Sequence, residues 1–342
     1  MTILEFRSHQ KDRHQKSDGG VPVSPLLDAT PVNKDCHPEL DTSKFPDNEG
    51  MQQHQSMMGL LQWLTSMGRW DIMTSVMSMS SCRAQPRKGH SEVAKCLCAC
   101  VHKTKHCTLK SRIDQPDMSM FHRASEVSWD KSACGAGAEE IPNNAPESLG
   151  ESVTLVHHFD ANLMHNVTSG KAVTGCLHLA NKTPIVWHSK KQATTETATC
   201  GAEFVAGRTC MEQNIDLRNA FGHLGVKTNN ASCVFGDDES MADSASHAHS
   251  RLKKRHNVLS FHCVQSQIAC GHINLKHIRS HNNASDILLK HWGHQSVKAL
   301  LKPFFNTTGN MANLCADDGK DCPDRVAVIQ DDQLVPGRIQ QC

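Results

Sequence analysis

Four acidic residues stand in separate, distinctive stretches of this chain. They are Asp160 in HHFDANLMH, Glu203 in TATCGAEFVA, Asp237 in CVFGDDES and Asp286 in NNASDILLKHWG. Magnesium is a hard cation that prefers carboxylate oxygens, and two such ions can stabilise both the attacking and the leaving oxygen of a phosphodiester displacement. If the four side chains meet, the chemistry they suit is metal-dependent hydrolysis of a phosphodiester backbone.

The elements predicted between residues 151 and 300 can bring these acids together. Alternating or apolar runs predict strands, and helical periods predict the helices between them. Short turns at 168–170 and 181–183 favour an antiparallel meander of the first three strands. In chain order the strands are SVTLVHHFDA, GKAVTGCLHLA, TPIVWHS, SCVFGD and INLKHIRS, and the helices begin after TPIVWHS, at DESMADS, at RLKKRHNVLSFHCVQSQIACG and at ASDILLKHWG.

The long helix after the third strand is predicted to carry Glu203 on the flank of an apolar stripe. The stripe consists of Cys200, Phe204, Gly207, Met211 and Ile215. We expect Thr194 or Thr195 to cap this helix and Gly225 to end it, because glycine tolerates a positive φ. Asp160 would leave a central strand, Asp237 would end its neighbour, and Asp286 would start the last helix, where the helix dipole stabilises a carboxylate.

Upstream of this region the pattern is helical. Apolar residues recur at helical spacing from 51 to about 82, with a break at 68–71 where Asp71 can cap the second helix. A third helix is predicted in GHSEVAKCLCACVHKTKH.

The four acidic motifs, in this order, resemble the ribonuclease H region of copia-type retrotransposon polyproteins of the kind found in algal and diatom genomes. Residues 51–90 resemble the segment that links reverse transcriptase to ribonuclease H, and PVSPL at 22–26 and HPELDTSKF at 37–45 resemble the stretch before it. The resemblance covers about residues 20–310. It implies an α/β ribonuclease H-like fold, with a mixed five-stranded sheet flanked by helices and preceded by a small helical connection segment.

The resemblance also implies roles for the acids. In related nucleases the first aspartate bridges two metal ions, which assigns that role to Asp160. Asp286 would complete the site of the ion that activates water, and Glu203 and Asp237 would help to hold the ion at the leaving 3′ oxygen. The implied cofactor is a pair of Mg²⁺ ions, with Mn²⁺ as the alternative, and the implied partner is an RNA/DNA hybrid. Asp238 and Ser285 depart from the family pattern without removing a ligand oxygen.

Five parts are expected along the chain. They are a mostly disordered leader (1–50), the helical reverse-transcriptase connection (51–107), a linker (108–150), the ribonuclease H-like domain (151–300) and an irregular tail (301–342). The paired-aspartate motif of the polymerase has no counterpart, so we expect no polymerase activity. The chain resembles the downstream part of a polyprotein that starts at an internal Met, with an upstream reverse transcriptase as its partner in an intact element.

Charge and hydropathy limit the other classes of function. With a net charge of +1, any nucleic-acid surface must be local. The candidates are Lys190 and Lys191 before the long helix, and Arg251, Lys253 and Lys254 in RLKKRH; a solvated basic face explains the RLKKRH run equally well. The N-terminus lacks a signal-peptide core and no run approaches a membrane span, which favours an intracellular protein, cytoplasmic or nuclear.

Cysteine and histidine are abundant: there are 16 Cys and 23 His but no Tyr. Cys98, Cys200, Cys233, His157, His188 and His294 stand where the related elements usually carry Tyr. Single transitions convert Tyr codons to Cys or His codons, so a catalytically inactive, decayed copy is the alternative to an active nuclease.

CLCAC does not have structural zinc spacing, and chance His pairs are expected, so the sequence assigns no zinc site. His281 lies near where some ribonucleases H carry a mobile His that helps product release, but a surface loop residue is the favoured interpretation and His281 is not included among the catalytic residues.

Overall fold

A computed structural model describes residues 32, 36–117, 144–229, 231–252, 257–291 and 300–306. The strands are β1 (Thr108–Leu109), β2 (Leu155–Asn162), β3 (Val173–Ala180), β4 (Thr183–Lys191), β5 (Ser232–Gly236), β6 (Ile273–His277) and β7 (Phe305–Asn306). The helices are α1 (Asn48–Ser66), α2 (Met73–Ser80), α3 (Lys88–Lys103), α4 (Thr199–His223), α5 (Glu239–Ser246) and α6 (Val258–Ala269).

A mixed five-stranded sheet in the order β4-β3-β2-β5-β6 positions the rest of the molecule. The first three strands form the expected antiparallel meander, and β5 and β6 then add parallel to β2. Short connections suffice for the antiparallel pairs, whereas the parallel pairs need the crossover helices α4, α5 and α6. The predicted α/β architecture, a mixed five-stranded sheet flanked by helices, is confirmed.

Both faces of the sheet are covered, which is why β2, β3 and β5 are almost entirely buried. One face packs against α4 and α6 through Phe159, Phe204 and Phe261. The opposite face packs Leu177 and Phe235 against the Ala284–Leu288 turn and against Trp70 of the helical segment. No helix in the described part of the chain is long and apolar enough to cross a membrane.

The N-terminal end of α4 differs from expectation, whereas its C-terminal end does not. Gly225 follows α4 with φ +69°, as predicted, but Ala198 is the N-cap residue and makes no side-chain cap. Thr194 and Thr195 do not cap α4 because they precede the N-cap residue, and their hydroxyl groups donate to Glu196 Oε1 and Ser169 O.

One capping prediction in the helical segment, which comprises α1, α2 and α3, is wrong. The break between α1 and α2 is a 3₁₀ turn at Trp70–Ile72, and Ile72 is the N-cap residue of α2. Asp71 does not cap that helix because both its carboxylate oxygens accept hydrogen bonds from Arg69, at 2.8 Å each.

The helical segment and the sheet share a core. The Trp70 ring lies 5.5 Å from Phe304 and 5.1 Å from Phe305, measured between ring centroids. Trp187 Nε1 donates to Thr65 O at 2.8 Å, and Thr74 Oγ1 donates to Ile287 O at 2.7 Å. The helices therefore pack against the same face of the sheet as the turn that contains Asp286.

Hydrogen-bonded residues lie within the expected leader, linker and tail. Strands β1 and β7 pair with each other, so the expected linker (108–150) and tail (301–342) both begin with ordered, hydrogen-bonded residues. At the end of the expected leader (1–50), the Arg87 guanidinium donates to Ser43 O at 2.6 Å and α1 begins at Asn48. Residues 1–31 and 307–342 lie outside the described residues.

Candidate metal centre

Three of the four predicted acids meet at one edge of the sheet. Asp160 lies near the end of β2, Glu203 lies on the second turn of α4, and Asp237 directly follows β5. One carboxylate oxygen from each lies within 4.8 Å of the others. The parallel pairing of β2 with β5 places Asp160 and Asp237 at neighbouring strand ends, and the packing of α4 on β2 adds Glu203.

Asp286 lies next to Asp160, on the turn that follows β6. The secondary structure around Asp286 differs from the prediction. It lies within a 3₁₀ turn, Ala284–Leu288, and not at the start of an α-helix, because the Asn283 side chain and the packing of Leu288 and Leu289 hold a tight turn. Residues 292–299, where the predicted helix would continue, lie outside the described residues.

Lys290 links this turn to β2. Its Nζ lies 2.5 Å from Asp286 Oδ1 and 4.0 Å from Asp160 Oδ2. The Lys290 side chain is 42% exposed, whereas that of Asp286 is 3% exposed, so the ammonium group closes the buried cluster from the solvent side. Burial lowers the pKa of Lys290, but the hydrogen bond with Asp286 and the negative charges of Asp286, Asp160 and Asp237 together outweigh this effect and raise the pKa overall.

Burial and mutual repulsion raise the pKa of two of the carboxyl groups. Burial raises the pKa of Asp160 well above its ordinary value, and the negative charge of Glu203 raises it further. Burial likewise raises the pKa of Glu203 to about 8, with a further contribution from Asp237. Carboxylates packed this closely are stable in ionised form when a cation compensates them.

Two oxygen atoms in the cluster are buried without a hydrogen-bond donor among the described residues. They are Asp160 Oδ2 and Glu203 Oε2. The other oxygen of each group accepts from the same backbone amide, Ala161 N, at 2.7 Å for Asp160 and 3.1 Å for Glu203. One shared amide thus orients both carboxylates, and their second oxygens remain available to a hard cation. The donor set fits a divalent metal such as Mg²⁺.

Close packing around Asp160 depends on glycines. A Cβ atom at Gly236 would lie 2.6 Å from Phe159 Cζ, and one at Gly207 would lie 2.7 Å from Met241 Cε and 3.4 Å from Phe159 Cε2. Phe159, the residue before Asp160, therefore fills the space that these two glycines leave between β5 and α4. The apolar stripe indicated the role of Gly207, but no sequence signal connected Gly236 to β2.

Asn283 is a positioning residue that the sequence did not reveal. Fully buried, it donates from Nδ2 to Phe159 O at 2.9 Å, and its Oδ1 accepts from Ser285 Oγ at 2.6 Å. It therefore ties the Asp286 turn to the strand of Asp160. The departure at Ser285 is also explained, because its hydroxyl group supplies a hydrogen bond to Asn283.

The second departure from the family pattern, Asp238, has a structural role beside the cluster. Its carboxylate accepts from Met241 N at 2.7 Å and is the N-cap of α5. Asn is an equally good N-cap, so either residue at this position satisfies the first turn of the helix.

The candidate nucleic-acid residues are only partly described. Lys190 is exposed and Lys191 half-buried at the end of the edge strand β4, and Arg251 is exposed. Lys253 and Lys254 lie outside the described residues. His281 is exposed in the 3₁₀ turn Ser280–Asn282 and is not among the clustered acids.

Comparison with known proteins finds partial similarity to a curated polyprotein. No family model matches the chain. The retrovirus-related Pol polyprotein from transposon TNT 1-94 of Nicotiana tabacum is 23% identical over 141 residues, which is 41% of this chain and 10% of the polyprotein. The chain therefore corresponds to a small part of the length of that relative.

Solved structures with similar regions include ribonuclease H domains. The N-terminal RNase H domain of Rv2228c from Mycobacterium tuberculosis is 15% identical and covers 44% of this chain and 98% of that one, with a TM-score of 0.30. For LC11-RNase H1 from compost, in complex with an RNA/DNA hybrid, the identity is 18%, the coverages are 40% and 94%, and the TM-score is 0.32. A foamy viral protease-reverse transcriptase in complex with an RNA/DNA hybrid is 12% identical. The match covers 46% of this chain and 23% of that one, with a TM-score of 0.31.

Proposed function

We propose that this chain is the ribonuclease H region of a copia-type retroelement and hydrolyses the RNA strand of RNA/DNA hybrids in a metal-dependent reaction. The observation that carries the proposal is the convergence of Asp160, Glu203, Asp237 and Asp286. The partial match to a retrotransposon Pol polyprotein supports the same function.

The four acids are the residues that would hold two Mg²⁺ ions, or Mn²⁺ in their place. Bound ions of this kind lower the pKa of a water molecule and stabilise the leaving oxygen of a phosphodiester. Asp160 lies between Glu203 and the Asp286 turn and is the group suited to bridge both ions. Two buried oxygens without donors, one on Asp160 and one on Glu203, face no competing hydrogen bond in the described structure.

Substrate recognition would depend on backbone contacts. A hybrid-specific nuclease reads duplex shape and 2′-hydroxyl groups, so base-reading side chains are not required. Lys190 and Lys191 at the end of β4, with Arg251, Lys253 and Lys254, are the proposed phosphate contacts. In an intact element, the partner protein would be the upstream reverse transcriptase.

The test is cleavage of an end-labelled RNA/DNA hybrid, with and without Mg²⁺, alongside a gel-shift measurement of binding. Asp160→Asn is expected to reduce cleavage at least about 100-fold, because even changes one shell further from a metal cost 10- to 100-fold. Binding should persist, since the phosphate contacts lie elsewhere. Asp243→Asn, on the exposed face of α5, is the matched control and should cleave normally.

The outcomes separate the two candidate functions. Undiminished cleavage by Asp160→Asn contradicts the assigned centre. Binding without cleavage by the unmodified chain, with Mg²⁺ or Mn²⁺, supports the alternative of a decayed, inactive fragment that binds nucleic acid.

A further inference from the structure

A second group of potential metal ligands lies inside the sheet–helix interface, apart from the acids. The Sγ atoms of Cys176 and Cys210 and a ring nitrogen of His178 lie within 4.8 Å of one another. All three residues are fully buried. Cys176 and His178 are two positions apart on β3 and share the face that packs against α4, which supplies Cys210.

His157 lies beside this group and contacts His178. It is the cross-strand partner of His178, and the Nδ1 atoms of the two rings are 2.6 Å apart. Only one proton fits between two imidazole nitrogens at that distance, so at least one lone pair points into the contact. His157 is fully buried, and its Nε2 has no hydrogen-bond partner among the described residues.

Gln213 orients the His178 ring. Its Oε1 lies 2.8 Å from His178 Nε2, and an amide oxygen only accepts, so Nε2 carries the proton and donates. The lone pair of His178 Nδ1 therefore accepts the proton of His157 Nδ1, and a metal ion would take the place of that proton. An outer hydrogen bond that fixes the tautomer in this way is typical of histidines that ligate metals.

We propose that Cys176, His178, Cys210 and His157 form a structural zinc site. Two thiolates and two imidazoles are the donor set of tetrahedral structural zinc centres. In such a centre the two sulfur atoms lie about 3.8 Å apart, as follows from zinc–sulfur bonds of about 2.3 Å. The two imidazole nitrogens lie about 3.3 Å apart, so the Nδ1 atoms of His157 and His178 would have to separate from their present 2.6 Å. Binding releases the two thiol protons, and the two thiolates then balance the charge of the ion within an apolar interior.

The site would fix α4 against β2 and β3. Cys210 lies two helical turns from Glu203 on the same helix, and Cys176 is adjacent in β3 to Gly175, the partner of Asp160. A zinc ion here would therefore hold the helix and strands that carry two of the four acids. No sequence pattern indicated this site, because its members come from three elements and lack the close cysteine pairs of most zinc motifs.

The experiment measures bound zinc and does not depend on nuclease activity. The full chain, expressed with zinc and purified under reducing conditions without chelator, is analysed for metal by mass spectrometry. We expect one zinc ion per chain in the unmodified protein and in the control Cys263→Ser, whose half-buried thiol lies on α6 outside the cluster. Cys210→Ser and His178→Asn should lose that zinc.

Replacement of zinc by cobalt in the unmodified chain keeps the test valid if those variants do not fold. Tetrahedral coordination by two thiolates predicts strong visible absorption and thiolate-to-cobalt charge-transfer bands. Gln213→Ala should bind zinc about ten-fold more weakly, and the exposed neighbour Glu212→Ala should bind it normally.

Three results would overturn the proposal. They are an unmodified chain without stoichiometric zinc, a folded Cys210→Ser variant that retains it, and a Cys176–Cys210 disulfide in the freshly purified protein. Weak octahedral cobalt absorption without charge-transfer bands would count against it equally.

Discussion

Asp160 on β2 and Gly175 on β3 are direct cross-strand partners, and the absent side chain of Gly175 makes room for the turn that carries Asp286. A Cβ atom at Gly175 would lie 2.8 Å from Leu289 Cγ and 3.1 Å from Leu288 Cβ. Two of the four acids therefore depend on one glycine for their relative position.

Gly175→Ala should consequently separate the Asp286 turn from Asp160. Overpacking of this kind costs about 1–3 kcal/mol, and the hybrid-cleavage rate should fall with it. Urea unfolding and the cleavage assay measure the two effects. Gly222→Ala on α4 is the control, because no atom lies within 4 Å of its added Cβ and alanine favours a helix. Equal stability of the Gly175 variant and the unmodified chain would contradict the packing argument.

Asn283→Ala should destabilise the fold and weaken metal binding together. The change removes the donor to Phe159 O and the acceptor for Ser285 Oγ in a fully buried place, and each unsatisfied buried group costs about 1–3 kcal/mol. Thermal unfolding and calorimetric Mg²⁺ titration are the measurements. The exposed control Asn219→Ala should stay within about 0.5 kcal/mol of the unmodified chain. An unchanged Mg²⁺ affinity for Asn283→Ala would show that this residue does not position Asp286.

Lys290→Ala should destabilise the protein most when divalent ions are absent. Without a metal, the Lys290 ammonium group is the cation nearest Asp286 and Asp160 in the described structure. We expect a loss of about 1–2 kcal/mol in EDTA, less than for a fully buried pair because the ammonium group is partly exposed, and a smaller loss in Mg²⁺. Lys95→Ala, which breaks the exposed pair with Glu92, should change the stability little in either buffer. The same loss for Lys290→Ala in both buffers would rule out this compensating role.

The stability of the metal-free protein should fall as the pH rises. The pKa of Glu203 is about 8 in the folded chain, above its ordinary value of 4.5, so ionisation disfavours the folded state. The full free energy of unfolding is present below pH 4.5, the ordinary pKa of a glutamate, and it falls progressively as the pH rises from 4.5 to about 8. The loss should be of the order of a few kcal/mol.

Thermal unfolding in EDTA across this pH range is the measurement. Glu203→Gln should flatten most of the dependence, and Mg²⁺ should reduce it, because a bound cation compensates the ionised group. A Glu203→Gln variant that loses stability with pH as steeply as the unmodified chain would show that another group causes the effect.

Much of the architecture was readable from local patterns. Alternating apolar residues predicted β2, β3 and β4, and the apolar stripe predicted α4 with Gly225 at its end, because these patterns record which face each element buries. The positions of the four acids relative to the strands followed from the same patterns. Helix capping was predicted less well, since Thr194, Thr195 and Asp71 each have a different partner in the fold.

The tertiary structure alone decided the contacts between elements that are distant in sequence. The sequence determined that Asp160 ends a buried strand and that Asp286 lies in the short stretch after the fifth strand. It did not determine that Asn283 bonds to Phe159 O, that Gly175 admits Leu289, or that Cys210 meets Cys176. Periodicity specifies which face of an element is buried, whereas these relationships depend on which other elements cover that face.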